Sequence, residues 1–194
     1  MIKIALTGKM RSGKSTAAQH LFMSHGFERI SFSSGLTTTA DRLFSHLYYE
    51  EKDQFGLYRT KKPRHLLQSL GQKLREIDED VFIEQAEKSL NLYSNWRDCK
   101  GVVIDDLRQE NEAKWAKENG FIIIRVNADE SDRIARIEQA GDDFKAGDLR
   151  HETEQYIDDI QADIDIWNGE GVSEDDLRRK IDEILAEIKA KGGR

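Results

Sequence analysis

The sequence has little of several residue types, and each shortage excludes a class of protein. A single cysteine, Cys99, among 194 residues rules out an internal disulfide and a cysteine-rich zinc site. The 5 histidines are scattered and include no His-x-x-x-His pair, so the sequence alone predicts no metal cluster. The one proline, Pro63, argues against proline-rich linkers and favours a compact, helix-rich body.

Long hydrophobic runs and excess positive charge are also missing. Apolar stretches such as 121–124 span only a few residues, which predicts no transmembrane segment. Residues 1–7 lack the apolar core and cleavage site of a secretory signal, so we expect a cytoplasmic location. A net charge of -7 disfavours a broad nucleic-acid surface, although local arginines and lysines still allow small anionic substrates. The expected partners are small molecules, with neither a nucleic-acid polymer nor a membrane, and the oligomeric state stays open.

Short apolar runs alternate with longer amphipathic stretches, which predicts one α/β domain over 1–194. Strands are predicted at 2–7, 29–33, 101–104, 121–126 and 162–167. Helices are predicted at 12–25, 36–49, 81–92 and 109–119 and after Pro63 and Ser173, with a loop at 52–62. This order indicates a parallel sheet of about five strands with helices on both faces, whose ligands bind at the carboxyl ends of the strands.

The first motif directly follows the first predicted strand. Residues 8–15 match the phosphate-loop pattern G-x-x-x-x-G-K-[ST] in full. The glycines let backbone amides face phosphate oxygens, and the helix starting at Gly13 adds its positive end. Lys14 would contact the β and γ phosphates and Ser15 would ligate Mg²⁺. The alternative, a glycine turn that only caps a helix, is disfavoured by the strand before the motif and the helix after it.

A second motif follows the strand predicted at 101–104. Asp105 and Asp106 end this strand, at the point where phosphate-loop proteins hold a carboxylate beside Mg²⁺, so both are candidate metal-site residues. Arg108 comes next and could bind a substrate phosphate through its fork of donors. Alternatively, Asp106 caps a helix and Arg108 forms a surface ion pair with Glu112. The phosphate loop favours the functional interpretation.

Two further groups of basic residues are candidates. Arg64 and Gln68 lie one helical turn apart and can face one ligand, although a solvated helix face is the simpler interpretation. Arg133 and Arg136 lie in a charged segment at about 129–151, which is predicted to be a small lid that closes over phosphates. An exposed helix with surface ion pairs explains that segment equally well. A lone His151 is more often structural than functional.

Several segments, taken together, resemble the bacteriophage-type deoxynucleoside monophosphate kinases. They are residues 8–16, 64–71, 106–112 and 151–154, with 164–168 similar to the terminal strand of that family. The resemblance implies the three-layer P-loop NTPase sandwich, ATP as phosphoryl donor with Mg²⁺, and a deoxynucleoside monophosphate as acceptor. It also implies an acceptor-binding helical segment at about 36–95.

The site residues that the motifs and the resemblance imply fall into four groups. ATP would be bound by Gly8, Lys9, Arg11, Ser12, Gly13, Lys14, Ser15 and Thr16. The acceptor would be bound by Arg64, Gln68, Asp106, Arg108 and Glu112. Catalysis would rest on Lys14, Arg108, Arg133 and Arg136, and the metal ion on Ser15, Asp105 and Asp106.

The chain departs from that family in two respects. Ser15 stands where some members carry aspartate, and the segment before the Arg64 helix is shorter. Because that segment helps to select the base, the base preference is not implied. Another small-molecule kinase such as dephospho-coenzyme A kinase, a nucleotide-binding switch or slow NTPase, and a degenerate kinase serving as an assembly subunit remain alternatives.

Overall fold

The structure is a computed structural model that describes residues 1–47, 49–52, 58–61, 64–140 and 156–192. Its strands are β1 (Ile2–Thr7), β2 (Phe27–Ile30), β3 (Tyr49–Lys52), β4 (Tyr58–Lys61), β5 (Gly101–Ile104), β6 (Ile122–Asn127) and β7 (Ile164–Trp167). Its α-helices are α1 (Lys14–His25), α2 (Ser34–Leu43), α3 (Arg64–Ile77), α4 (Val81–Ser94), α5 (Glu110–Glu118), α6 (Glu130–Ala140) and α7 (Glu174–Gly192). Short 3₁₀ turns lie at Ser45–Leu47 and Tyr156–Asp158.

Five of these strands form one parallel sheet in the order β2-β5-β1-β6-β7. Ile4 in β1 pairs with Val103 on one side and with Ile122 on the other. Strand β5 is buried along its whole length, as expected for a strand covered on both faces. The predicted α/β fold is therefore confirmed, and all five strands direct their carboxyl ends toward one edge of the sheet.

Helices cover both faces of the sheet and bury two separate apolar cores. On one face, α2, α4 and α5 contribute large side chains such as Leu36, Phe82 and Trp115. On the other face, Leu21 of α1 packs with Leu177 and other apolar residues of α7. The result is a three-layer sandwich. In the part of the chain that the structure describes, no helix is long and apolar enough to cross a membrane.

The structure corrects three predicted elements. The segment 52–62, predicted to be a loop, includes β4 and the end of β3, which pair antiparallel as a separate hairpin. The prediction relied on apolar periodicity, whereas main-chain pairing needs none. The second strand lies at 27–30 rather than 29–33, and α2 ends at Leu43 instead of continuing to residue 49. The segment predicted to bind the acceptor, about 36–95, thus combines helices with a small hairpin.

The proposed lid, about 129–151, is described only in its first half. Helix α6 occupies 130–140 and buries Ile137. Residues 141–155, and with them His151 and the similarity at 151–154, lie outside the described residues. The same holds for Pro63 and for the side chain of Arg64.

Candidate active site

The phosphate loop connects β1 to α1 through a backbone that requires glycine at two positions. Gly8 has φ 138° and Gly13 has φ 113°, both in the region that side chains disfavour. A Cβ on Gly8 would lie 2.3 Å from the carbonyl oxygen of Val126, and one on Gly13 would lie 2.3 Å from Nδ2 of Asn168. The two glycines of the motif therefore permit close approach as well as the turn itself.

Lys14 is buried within this loop rather than extended into solvent. Its Nζ donates hydrogen bonds to the carbonyl oxygens of Gly8 (2.5 Å) and Lys9 (2.9 Å), so the charged amine spans the loop. Ser12 is fully buried, yet its Oγ has no hydrogen-bond partner among the described residues. A buried hydroxyl without a partner, a buried ammonium group and the start of a helix together suit a phosphate ligand.

Residues distant in sequence hold the phosphate loop in place. Asn168, directly after β7, donates from Nδ2 to the carbonyl oxygen of Ser12 at 2.7 Å. Arg136 donates to the carbonyl oxygens of Arg11 (3.2 Å) and Asn168 (2.7 Å). Arg133, only 4% exposed, donates to that of Met10 at 3.4 Å. Both arginines of α6 thus contact the loop backbone, unlike those of an exposed helix whose arginines form only surface ion pairs.

Asp106 anchors the turn between β2 and α2. Its carboxylate accepts hydrogen bonds from the hydroxyls of Ser31 (2.7 Å) and Ser33 (2.8 Å) and from the amides of Phe32 (3.0 Å) and Ser33 (2.9 Å). Four donors occupy both oxygens of this carboxylate. Helix α5 is capped by Gln109 instead, so the alternative interpretation of Asp106 as the helix cap is wrong.

Asp105, the neighbouring carboxylate, has a different environment. It forms an ion pair with the guanidinium of Arg29 and lines a cavity with Ser15 of the phosphate loop. Burial raises the pKa of Asp105, and the negative charge of Asp106 raises it further, while Arg29 opposes both effects. Carboxylate and hydroxyl oxygens are ligands that Mg²⁺ prefers, and Asp105 and Ser15 present one of each at the same cavity. These two residues therefore fit this ion.

Glu112 supports the segment that carries Arg108. Its Oε2 accepts hydrogen bonds from the amides of Arg108 (2.9 Å) and Gln109 (3.1 Å), while Oε1 accepts one from Arg75 (3.0 Å). Burial raises the pKa of Glu112, which is 2% exposed, and the nearby Arg75 charge lowers it. The Arg75 guanidinium lies 4.6 Å from the ring centre of Phe82. Glu112 is therefore not the partner in a surface ion pair.

A cavity of about 1200 Å³ opens at the carboxyl ends of the central strands. The predicted site residues that line it are Arg11, Gly13, Lys14, Ser15, Thr16, Asp105, Asp106, Arg108 and Arg136. The predicted residues with described side chains that are not in its lining are Lys9, Ser12, Gln68, Glu112 and Arg133, together with Gly8. Lys9 instead forms an exposed ion pair with Asp158.

Sequence reasoning missed part of the cavity wall. Arg29 and a hydroxyl-rich group formed by Ser31, Ser33, Ser34, Thr37 and Thr38 line the cavity beside Asp105. The signal for this wall is the concentration of serine and threonine over 31–39, directly after a strand. Asn168 also lines the cavity. It ends the segment 164–168 that the sequence analysis singled out, but its contact with Ser12 spans 156 residues and no local pattern predicts that contact.

Comparisons with known proteins point in the same direction as this geometry. A family described as an AAA domain matches residues 4–158. A protein of Acanthamoeba polyphaga mimivirus, named provisionally as a deoxynucleotide monophosphate kinase, is 28% identical over 148 residues, which cover 66% of this chain and 74% of that protein.

Solved structures share the fold at low sequence identity. A Thermus thermophilus protein has a TM-score of 0.59 at 22% identity and covers 96% of this chain and 97% of its own. Dephospho-CoA kinase from Campylobacter jejuni has a TM-score of 0.53 at 18% identity, with coverage of 99% and 98%. Shikimate kinase from Acinetobacter baumannii has a TM-score of 0.53 at 15% identity, with coverage of 98% and 94%. The architecture is that of the small P-loop kinases.

Proposed function

The chain belongs to the AAA-domain family, and from this premise we propose that it transfers the γ-phosphoryl group of ATP to a deoxynucleoside 5'-monophosphate. The products are the corresponding diphosphate and ADP. The single observation that carries the proposal is one cavity that joins the phosphate loop to the hydroxyl-rich wall and Arg108. Its volume of about 1200 Å³ exceeds the range usual for one small ligand, as a site for two nucleotides requires.

The phosphate loop is the donor side of the proposed site. The first turn of α1 brings Gly13, Lys14, Ser15 and Thr16 to the cavity. The Lys14 ammonium and the helix start favour the negative charge of the β and γ phosphates. Arg133 and Arg136 fix the loop through the carbonyl oxygens of Met10 and Arg11. ATP would therefore bind to a loop backbone that is already in position.

The other side of the cavity is the proposed acceptor side. Arg108 offers a planar fork of donors for the acceptor phosphate, and Glu112 fixes the backbone on which Arg108 lies. Hydroxyls such as those of Thr37 and Thr38 can hydrogen-bond polar groups of a sugar or base. Asp106 keeps this wall in position through its contacts with Ser31 and Ser33.

Ser15 and Asp105 would hold Mg²⁺, since they line the same cavity and Asp106 is already occupied by four donors. This ion supplies positive charge that neutralises the phosphate oxygens as the phosphoryl group moves. A monophosphate acceptor is an oxyanion near neutral pH and needs no strong general base. The work of the chain is therefore to align the two phosphates and to stabilise charge with Lys14 and Arg108.

An acceptor panel tests this proposal directly. The protein is incubated with ATP and Mg²⁺, and ADP release is measured with each deoxynucleoside monophosphate, each ribonucleoside monophosphate, dephospho-coenzyme A, shikimate and no acceptor. Release that depends on one or a few deoxynucleoside monophosphates is the expected result. Dependence on dephospho-coenzyme A or shikimate alone would assign another acceptor class. Release equal to the blank in every reaction would contradict the proposed transfer.

The Arg108→Ala variant distinguishes the two sides of the cavity. We expect its KM for the acceptor to rise by on the order of 10-fold to 100-fold, as for the loss of one charged hydrogen-bonding group, with little change in ATP affinity. Lys117→Ala, on the far turn of α5, is the matched control for removing a positive charge. Equal losses for ATP and acceptor would contradict the assignment of Arg108 to the acceptor.

A further inference from the structure

Two histidines and an aspartate meet where α1 packs against α7, and the proposed phosphoryl transfer assigns no role to any of the three. The Nε2 atoms of His20 and His25 lie 2.7 Å and 2.6 Å from the same atom, Oδ1 of Asp182. One ligand atom from each of these residues lies within 4.8 Å of the other two. The sequence-based prediction of no metal cluster considered histidine spacing alone, and Asp182 is 162 residues from His20.

We propose that His20, His25 and Asp182 form a binding site for a zinc ion that links α1 to α7. Two imidazoles and one carboxylate are a ligand set that zinc uses, with a fourth position left for water. Magnesium is a poor candidate because it prefers oxygen ligands. The proposal does not depend on the identity of the phosphoryl acceptor.

The distances from the Asp182 oxygen to the two histidine nitrogens are compatible with an ion after a small adjustment. A tetrahedral zinc ion with ligands at about 2.0–2.2 Å sets neighbouring ligand atoms roughly 3.3 Å apart. The Asp182 oxygen therefore needs to withdraw by less than about 1 Å from the two nitrogens. Its side chain is 46% exposed, so solvent rather than packed core surrounds the part that has to move.

The His20 ring is already oriented for this role. Its Nδ1 lies 3.3 Å from Oγ of Ser24, one turn further along α1, while Nε2 faces Asp182. A hydroxyl can donate or accept a hydrogen bond, so Ser24 can hold the ring whether Nδ1 is protonated or not. A metal-bound histidine commonly has such a partner on its other nitrogen, because that contact fixes both the tautomer and the ring plane.

An ion can reach the cluster without opening the core. His20 lines a smaller cavity of about 560 Å³ with Gln19, Met23 and Ser24, and Ser15 and Thr16 line the same cavity. The side chains of His20 and His25 keep 13% and 23% of their exposure. Two arginines line the same cavity, and both are paired: Arg178 with Glu174 and Asp175, and Arg29 with Asp105. Neither leaves an uncompensated positive charge to repel a cation.

The first test is a titration of the untagged protein with Zn²⁺ and, separately, with Co²⁺. Calorimetry measures the zinc affinity. The visible absorption of bound cobalt reports whether the ion is held by nitrogen and oxygen ligands in a tetrahedral site. At about 100 times Kd, zinc should raise Tm by roughly 5–10 °C, since it binds the folded state only. Absence of binding, or binding with no rise in Tm, would overturn the proposal.

Matched variants locate the binding. His25→Ala and the isosteric Asp182→Asn should each weaken zinc binding by about 100-fold or more, and Ser24→Ala by about 10-fold. His46→Ala, which removes an exposed histidine from the Ser45–Leu47 turn, should leave the affinity unchanged. Circular dichroism confirms that each variant is folded. Undiminished binding by folded His25→Ala and Asp182→Asn would show that the ion binds elsewhere and would overturn the proposal.

Discussion

The two strand ends that form the cavity use their motif residues in opposite ways. At the end of β1, the motif residues face the cavity, and residues from far along the chain, Asn168 and Arg136, hold their backbone. At the end of β5, two of the motif carboxylates accept hydrogen bonds from neighbouring segments of the chain. Asp106 binds the Ser31–Ser33 turn and Glu112 binds the amides of the segment carrying Arg108.

This difference separates two kinds of motif. In the proposed mechanism the phosphate loop is itself the binding surface, because its amides and Lys14 would contact phosphate and Ser15 would contact the metal ion. In the acidic segment, Asp105, Asp106 and Arg108 line the cavity, but the carboxylates of Asp106 and Glu112 accept hydrogen bonds that hold loops in position. A residue that belongs to a motif therefore need not touch a ligand, and its loss should act through stability and alignment.

The largest effect is expected at the loop that binds directly. Lys14→Ala removes the buried ammonium and should lower kcat by about 10²–10³-fold, equivalent to about 2.7–4 kcal/mol, in a steady-state ADP-release assay. Lys3→Ala is the control: the Lys3 amine, at the start of β1, donates to the Asn119 carbonyl and lies 6.0 Å from the ring centre of Phe121. Near-normal turnover by a folded Lys14→Ala variant would contradict the donor-side assignment.

The next effect tests the positioning side of the comparison. Glu112→Ala leaves Arg75 and two amides without their acceptor and should lower the free energy of unfolding by about 3 kcal/mol, as measured by urea denaturation. Glu112→Gln keeps an oxygen for the two amides and should lose less. Glu110→Ala, at an exposed position of the same helix turn, is the control. Unchanged stability in Glu112→Ala would contradict the supporting role.

A smaller effect is expected where the phosphate loop is held from a distance. Asn168→Ala leaves the Ser12 carbonyl without its donor and should cost about 1–2 kcal/mol of stability, together with a higher KM for ATP. Asn119→Ala loses a similar bond, to the carbonyl of Trp115, far from the loop. It should lower stability without changing KM for ATP. The same KM in both variants would show that Asn168 does not position the loop.

The smallest effect is a pH dependence at Asp105. Because its pKa is raised in the folded protein, protonation favours the folded state. The stabilisation that the protonated Asp105 gives to the folded state is complete below the ordinary aspartate pKa. It is lost as pH rises through the raised pKa of the folded protein. The stability of the wild type should therefore fall relative to Asp105→Asn over that interval, as measured by Tm at successive pH values. Asp41→Asn, on the exposed side of α2, is the control, and parallel curves for wild type and Asp105→Asn would contradict the shift.

The features that could be predicted from the sequence are those determined by residues close together along the chain. The phosphate loop has a complete motif, and β1, β5 and α1 each combine spaced apolar residues with a clear boundary, so their positions in the structure differ little from the prediction. The β3–β4 hairpin has no such pattern, since its strands read Tyr-Glu-Glu-Lys and Tyr-Arg-Thr-Lys. Its pairing depends on main-chain hydrogen bonds rather than on an apolar pattern.

The orientation of individual side chains was beyond the reach of local patterns. The spacing of Arg108 and Glu112 suits a surface ion pair, but Glu112 instead pairs with Arg75, 37 residues away. In the same way, Arg133 and Arg136 sit among acidic neighbours in sequence but turn toward the phosphate loop once α6 packs. Sequence identifies these residues as charged, and only the fold decides which partner each one meets.

The contact between Asn168 and Ser12 also orders events during synthesis. The phosphate loop leaves the ribosome more than 150 residues before the side chain that braces it. Strand β7 must join the edge of the sheet next to β6 before Asn168 can reach that loop. A nascent chain that stops short of β7 can form the central strands, but its phosphate loop lacks the hydrogen bond from Asn168. We therefore expect full nucleotide affinity to arise late in synthesis, after the contacts between residues most distant in sequence have formed.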